Sequence, residues 1–146
     1  MSLTRRDRIA LELLGPPLLG GAAAGIWAWA TLLQHAVPRP GTFSAFAGHL
    51  AALPYSCLVY TLFAFPMIGI QAGCYSAILE WCFSMGLSPR SLRSVALSTA
   101  LGYLSGLPLA LGYGYDRNDT WYFFSVVGPV VGGVIGLIIR RGTPRP

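Results

Sequence analysis

The stretch FSAFAGHLAALPYSCLVYTLFAFPMIGIQAGCYSAILEWCFSM, residues 43–85, decides how this chain is read. Its only acid is Glu80, and its only basic side chain is His49. A bilayer core takes about 20 helical residues, so the run is long enough for two short spans or one long one. Two spans need a turn in the middle, and the sequence offers only Phe65-Pro66-Met67-Ile68-Gly69. That segment has no polar side chain to satisfy freed backbone groups, and hydrocarbon supplies no water. One span from about Pro54 to Met85 is the reading adopted, kinked at Pro66, with residues 43–52 lying along the interface.

Three more apolar stretches follow from the remaining sequence. The first span is placed at about 10–34, with Trp27 and Trp29 suited to the aromatic belt at its far end. The Pro38-Arg39-Pro40-Gly41 segment is an exposed loop, since prolines and glycine cannot continue a helix. The third span runs over about 92–113. The polar cluster Asp116-Arg117-Asn118-Asp119-Thr120 ends it, and a fourth span covers about 121–139. The expected fold is therefore an all-α integral membrane four-helix bundle forming a single domain.

Arginine placement tests the count. All ten basic residues are arginine, as in many proteins of GC-rich genomes, and the net charge is +5. With four spans, Arg5, Arg6, Arg8, Arg90, Arg93, Arg140, Arg141 and Arg145 fall on one side, and Arg39 and Arg117 on the other. The positive-inside rule then puts both termini in the cytoplasm, here of a bacterial inner membrane. An odd number of spans would weaken this bias. The segment Thr4–Arg8 loosely resembles a twin-arginine export signal, but Glu12 and the Pro16-Pro17 pair fit such a signal poorly.

Composition agrees with the membrane reading. Hydrophobic residues make up 54% of the chain and charged residues 10%, against about 25% in soluble domains. The basic residues sit at the ends of apolar runs and form no face that would follow a phosphate backbone, which excludes nucleic-acid binding.

Small residues recur every fourth position: Gly69, Gly73 and Ala77; Ser98, Gly102, Gly106, Ala110 and Gly114; Gly128, Gly132 and Gly136. Gly21 and Gly25 continue the pattern in the first span. Such a series traces one helix face and lets backbones approach closely in lipid. These glycines are the expected helix-packing residues, within the chain or against a partner subunit or second copy.

Few side chains are equipped for chemistry. Pro66, Gln71 and Glu80 form a polar or kinked site in the second span, with Gln71 expected to satisfy the carbonyl freed by Pro66. Glu80 is expected to pair with Arg90 or Arg93, and Glu12 with Arg8 four residues earlier. Cys57, Cys74 and Cys82 form no CxxC pair. His35, His49, Asp116 and Asp119 lack the spacing of a metal site. No nucleophile elbow, zinc-protease helix or phosphate loop is present. No enzyme, cofactor or metal is expected. The sequence points to a protein that acts by helix–helix association, as an accessory subunit of a membrane complex or an immunity-type protein. A small oligomeric transporter or channel is the alternative.

Overall fold

In a computed structural model the chain forms four helices: α1 (Arg5–His35), α2 (Phe43–Ser84), α3 (Leu92–Tyr113) and α4 (Asn118–Gly142). The structure describes residues 3–35, 43–113 and 118–143, with side chains for 3–31, 48, 50–108 and 125–143. The expectations for Arg39, Gly114, Asp116, Arg117 and Arg145, and for the side chains of His35, His49, Ala110 and Asp119, lie outside the described residues.

Three helices contain segments long and apolar enough to cross a membrane: Arg5–Thr31, Leu50–Ser84 and Ser125–Gly142. The outer face of α2 carries Tyr55, Phe63, Ile70 and Trp81, all more than 60% exposed. Water would penalise that surface, and lipid tails accept it.

The 43–84 stretch is one uninterrupted helix with Pro54 and Pro66 inside it. At 1.5 Å per residue it is about 63 Å long, twice a bilayer core. Residues 43–52, expected along the interface, continue into the span without a break in the helix.

The helix ends follow local chemistry. Thr4 and Asp7 cap α1 reciprocally: Thr4 N donates to Asp7 Oδ2 (2.9 Å), and Asp7 N donates to Thr4 Oγ1 (3.3 Å). This is the capping-box arrangement with aspartate in the acidic role. Helix α2 ends in a Schellman motif: Leu87 N donates to the carbonyl of Cys82, and Gly86 N to that of Phe83. Gly86 has φ of 100°, a region that penalises any Cβ. Gly86→Ala is expected to cost about 1 kcal/mol, read as a lower unfolding midpoint in detergent with unchanged helical circular dichroism. Ser91 then starts α3, its Oγ accepting from Ser94 N at 3.1 Å.

The helices pack mainly as two hairpins, α1 along α2 and α3 along α4. Glycines set the approach in both. A Cβ at Gly21 would collide with the backbone of Thr61, and one at Gly25 would stand 2.5 Å from Cys57 Cα. On α3 and α4, a Cβ at Gly102 would strike the Gly128 carbonyl, and one at Gly128 the Gly102 carbonyl. A Cβ at Gly132 would strike the carbonyl of Ser98, and one at Gly136 would come within 3.0 Å of Val95 Cα. Gly106 Cα lies 3.6 Å from the position of a Gly128 Cβ. Gly69 and Gly73 differ, with no atom within 4 Å of where a Cβ would stand.

The hairpins meet through α1 with α4 and α2 with α3. Tyr75, Leu79, Leu101, Ile135 and Ile139 form the core there, with Leu11 packed against it. One end of the molecule gathers the first turn of α1, the α2–α3 turn and the last turn of α4. Leu3 N donates to the Gly142 carbonyl (2.7 Å), and Arg140 Nε to the Arg90 carbonyl (3.1 Å).

Candidate functional site

Four polar residues of α2 form two i, i+4 pairs, Gln71 with Tyr75 and Ser76 with Glu80, the second pair turned about 100° from the first. Beginning at the arginine-bearing end, Glu80 accepts from Arg8 Nε (2.6 Å), Arg8 Nη2 (3.2 Å) and Arg5 Nε (3.2 Å). The Arg8 guanidinium also lies 4.8 Å from the centre of the Phe83 ring. The sequence pairs Glu80 with Arg90 or Arg93, and the structure corrects this. Antiparallel packing lays the first turns of α1 beside the last turns of α2, while Arg90 and Arg93 stand beyond the Gly86 turn.

Glu12 needs a second correction. It does not pair with Arg8, which is committed to Glu80. Instead Glu12 is fully buried, with Oε2 accepting from Ser76 Oγ at 2.7 Å. Its Oε1 has no hydrogen-bond partner among the described residues. A buried carboxyl with one oxygen unpartnered is costly and marks a position worth testing.

At the residue before Ser76, the Tyr75 hydroxyl lies 2.5 Å from Ser98 Oγ. Ser98 Oγ spends its only hydrogen on the Gly132 carbonyl (2.5 Å), so Tyr75 is the donor in its pair. This chain ties α2, α3 and α4 together in the interior.

Gln71 lines a cavity of about 60 Å³ where the four helices meet. Its walls include Pro16 and Gly20 from α1, Ser105 from α3 and Val131 from α4. Gln71 Oε1 is buried without a hydrogen-bond partner among the described residues. Service to the carbonyl freed by Pro66 would fall to the Gln71 amide nitrogen, since the amide oxygen only accepts. Pro66 itself is exposed. Pro66, Gln71 and Glu80 are thus kept apart: one on the surface, one on the cavity, one in an ion pair.

Ser76 and Tyr75 escaped the sequence reading, and Ser98 entered it only as a small residue. The available signal was Glu12: a carboxyl among apolar residues needs a donor, and few side chains in the spans supply one. Cys57, Cys74 and Cys82 are free thiols. Among the described residues no group of three or more His, Cys, Asp or Glu converges as a metal site would. Comparison with protein-family models, curated proteins and solved structures finds no match.

Proposed function

We propose that this chain is a non-enzymatic, polytopic protein of the bacterial inner membrane that crosses four times and acts by helix–helix association. In that reading it serves as an accessory subunit of a membrane complex or as an immunity-type protein. Both termini are cytoplasmic, a placement supported by seven described arginines lying on the segments gathered at one end. The observation that carries association is the open pair Gly69 and Gly73 on α2. Among the described residues, Gly21 and Gly25 on α1, Gly102 on α3 and Gly128, Gly132 and Gly136 on α4 are each filled by a neighbouring backbone. Here the same spacing faces free space, continued by exposed Ala77. In lipid, a second helix gains packing there that a bulky face would deny it.

Association is tested by purification from native membranes in mild detergent, with molecular mass measured by light scattering. The wild type is expected in a stoichiometric complex, with itself or with another chain. Gly73→Leu is expected to weaken that complex roughly tenfold, about 1.4 kcal/mol, while leaving the unfolding midpoint unchanged. A wild type that is monomeric and unaccompanied would overturn the reading.

The second reading, a small transporter or channel, is favoured by one observation: the unpartnered Gln71 oxygen beside a central cavity. It expects solute flux in liposomes that Gln71→Leu reduces at least tenfold. If there is no flux, or if the variant leaves it unchanged, this reading fails.

A further inference from the structure

The arginine-bearing end holds more positive charge than its carboxylates can neutralise. Arg140 donates Nε to the Arg90 carbonyl at 3.1 Å, which fixes the last turn of α4 against the turn leading into α3. Arg93 follows Arg90 by three residues, and Arg141 follows Arg140. Arg90 and Arg140 are half-buried; Arg93 and Arg141 are exposed. The acids that share this part of the molecule are engaged elsewhere. Glu80 holds Arg5 and Arg8, Asp7 accepts from Thr4, and Glu12 is buried on Ser76. Among the described residues, none of these four arginines has a carboxylate within 4.0 Å. With its Nε taken, Arg140 still has both terminal nitrogens to donate, the fork geometry that suits a phosphate.

Apolar surface adjoins the charge. Leu92, next to Arg93, is 66% exposed, and Leu137 and Ile138, just before Arg140, are also exposed. A ligand that satisfies both surfaces carries an anionic phosphate above hydrocarbon chains. We propose that Arg90 and Arg140, flanked by Arg93 and Arg141, form a binding site for the headgroup phosphate of an anionic phospholipid. The site rests on the helices being membrane-embedded and is independent of whether the chain associates with another helix.

Native mass spectrometry of the detergent-solubilised full chain tests the site, with phosphatidylglycerol, phosphatidylcholine and inorganic phosphate as separate probes. Phosphatidylglycerol is expected to be retained at least fivefold better than phosphatidylcholine, with no retention of inorganic phosphate. Near a membrane surface each arginine is worth roughly a fivefold change in affinity for anionic lipid. The double variant Arg90→Gln/Arg140→Gln is therefore expected to bind phosphatidylglycerol roughly twentyfold more weakly. Should that variant fail to fold, the exposed Arg141→Gln alone is expected to lose roughly fivefold. Arg5→Gln, at the same end but outside the site, should leave retention unchanged. Equal retention of both lipids, or an equal loss on Arg5→Gln, would reduce the site to diffuse charge attraction and overturn it. Retention of inorganic phosphate as strong as that of the lipid would overturn it as well. Failure of the membrane reading shows separately, as release of the chain from membranes by alkaline carbonate without detergent.

Discussion

Gly102→Leu is expected to destabilise the folded chain in detergent by about 3 kcal/mol or more. The cause is backbone against backbone. A Cβ at this position strikes the Gly128 carbonyl and stands 3.1 Å from Gly132 Cα. Neither obstacle is a flexible side chain that can swing aside, so relief requires α3 and α4 to separate along their length. Separation would also pull Ser98 from the Gly132 carbonyl. Thermal unfolding followed by thiol-reactive dye or circular dichroism measures the effect. Gly102→Ala should show a smaller loss in the same direction. Gly69→Leu, with open space at the equivalent spacing, should show almost none. Equal losses at Gly102 and Gly69 would show that helix propensity, and not close approach, governs these glycines.

The second large effect is expected from Glu80→Ala. Arg8 and Glu80 keep only 15% and 13% of their side-chain surface exposed, and the pair spans α1 and α2. Removing the carboxylate leaves the Arg8 guanidinium without its counter-charge in a poorly solvated place. Breaking a buried pair from one side costs about 3 kcal/mol or more. Removing both partners is expected to cost less than the sum of the single losses, because no stranded charge remains. A double-mutant cycle on Arg8→Ala and Glu80→Ala should therefore give a coupling of about 1–3 kcal/mol. Arg5 should matter little. It reaches the same carboxylate at 3.2 Å but is 75% exposed, and such pairs contribute little. Additive losses for Arg8 and Glu80 would show that the contact carries no energy of its own.

These two sites also mark where the sequence was legible and where it was not. The unbroken α2 could be read from residues 65–69, because nothing there could serve a turn in hydrocarbon. The clustering of Arg5, Arg8, Arg90 and Arg140 on segments at one end followed from counting apolar runs. The partners of Glu80 and Glu12 did not follow. They depend on how α1 is rotated and slid along α2, and one residue of slip turns a helix face by about 100°. Glycine spacing has the same blind spot. Gly69 and Gly73 repeat every fourth residue just as Gly128 and Gly132 do, yet one pair is open and the other filled. Period identifies a face, and only packing tells what covers it. Gln71 stands out in the sequence as an amide inside an apolar span, but its neighbours on the cavity come from all four helices, far apart in sequence.

Among the described residues, the glycines whose added Cβ would strike a neighbouring main chain, Gly21, Gly25, Gly102, Gly128, Gly132 and Gly136, all meet it within a hairpin; between hairpins the contacts include the Ile135 side chain against Gly15, Tyr75 on Ser98, and the bond from Leu3 N to the Gly142 carbonyl. The cavity lies where the two hairpins meet, so its width is set by the size of the side chains there, with the Tyr75 hydroxyl bridging the joint to Ser98.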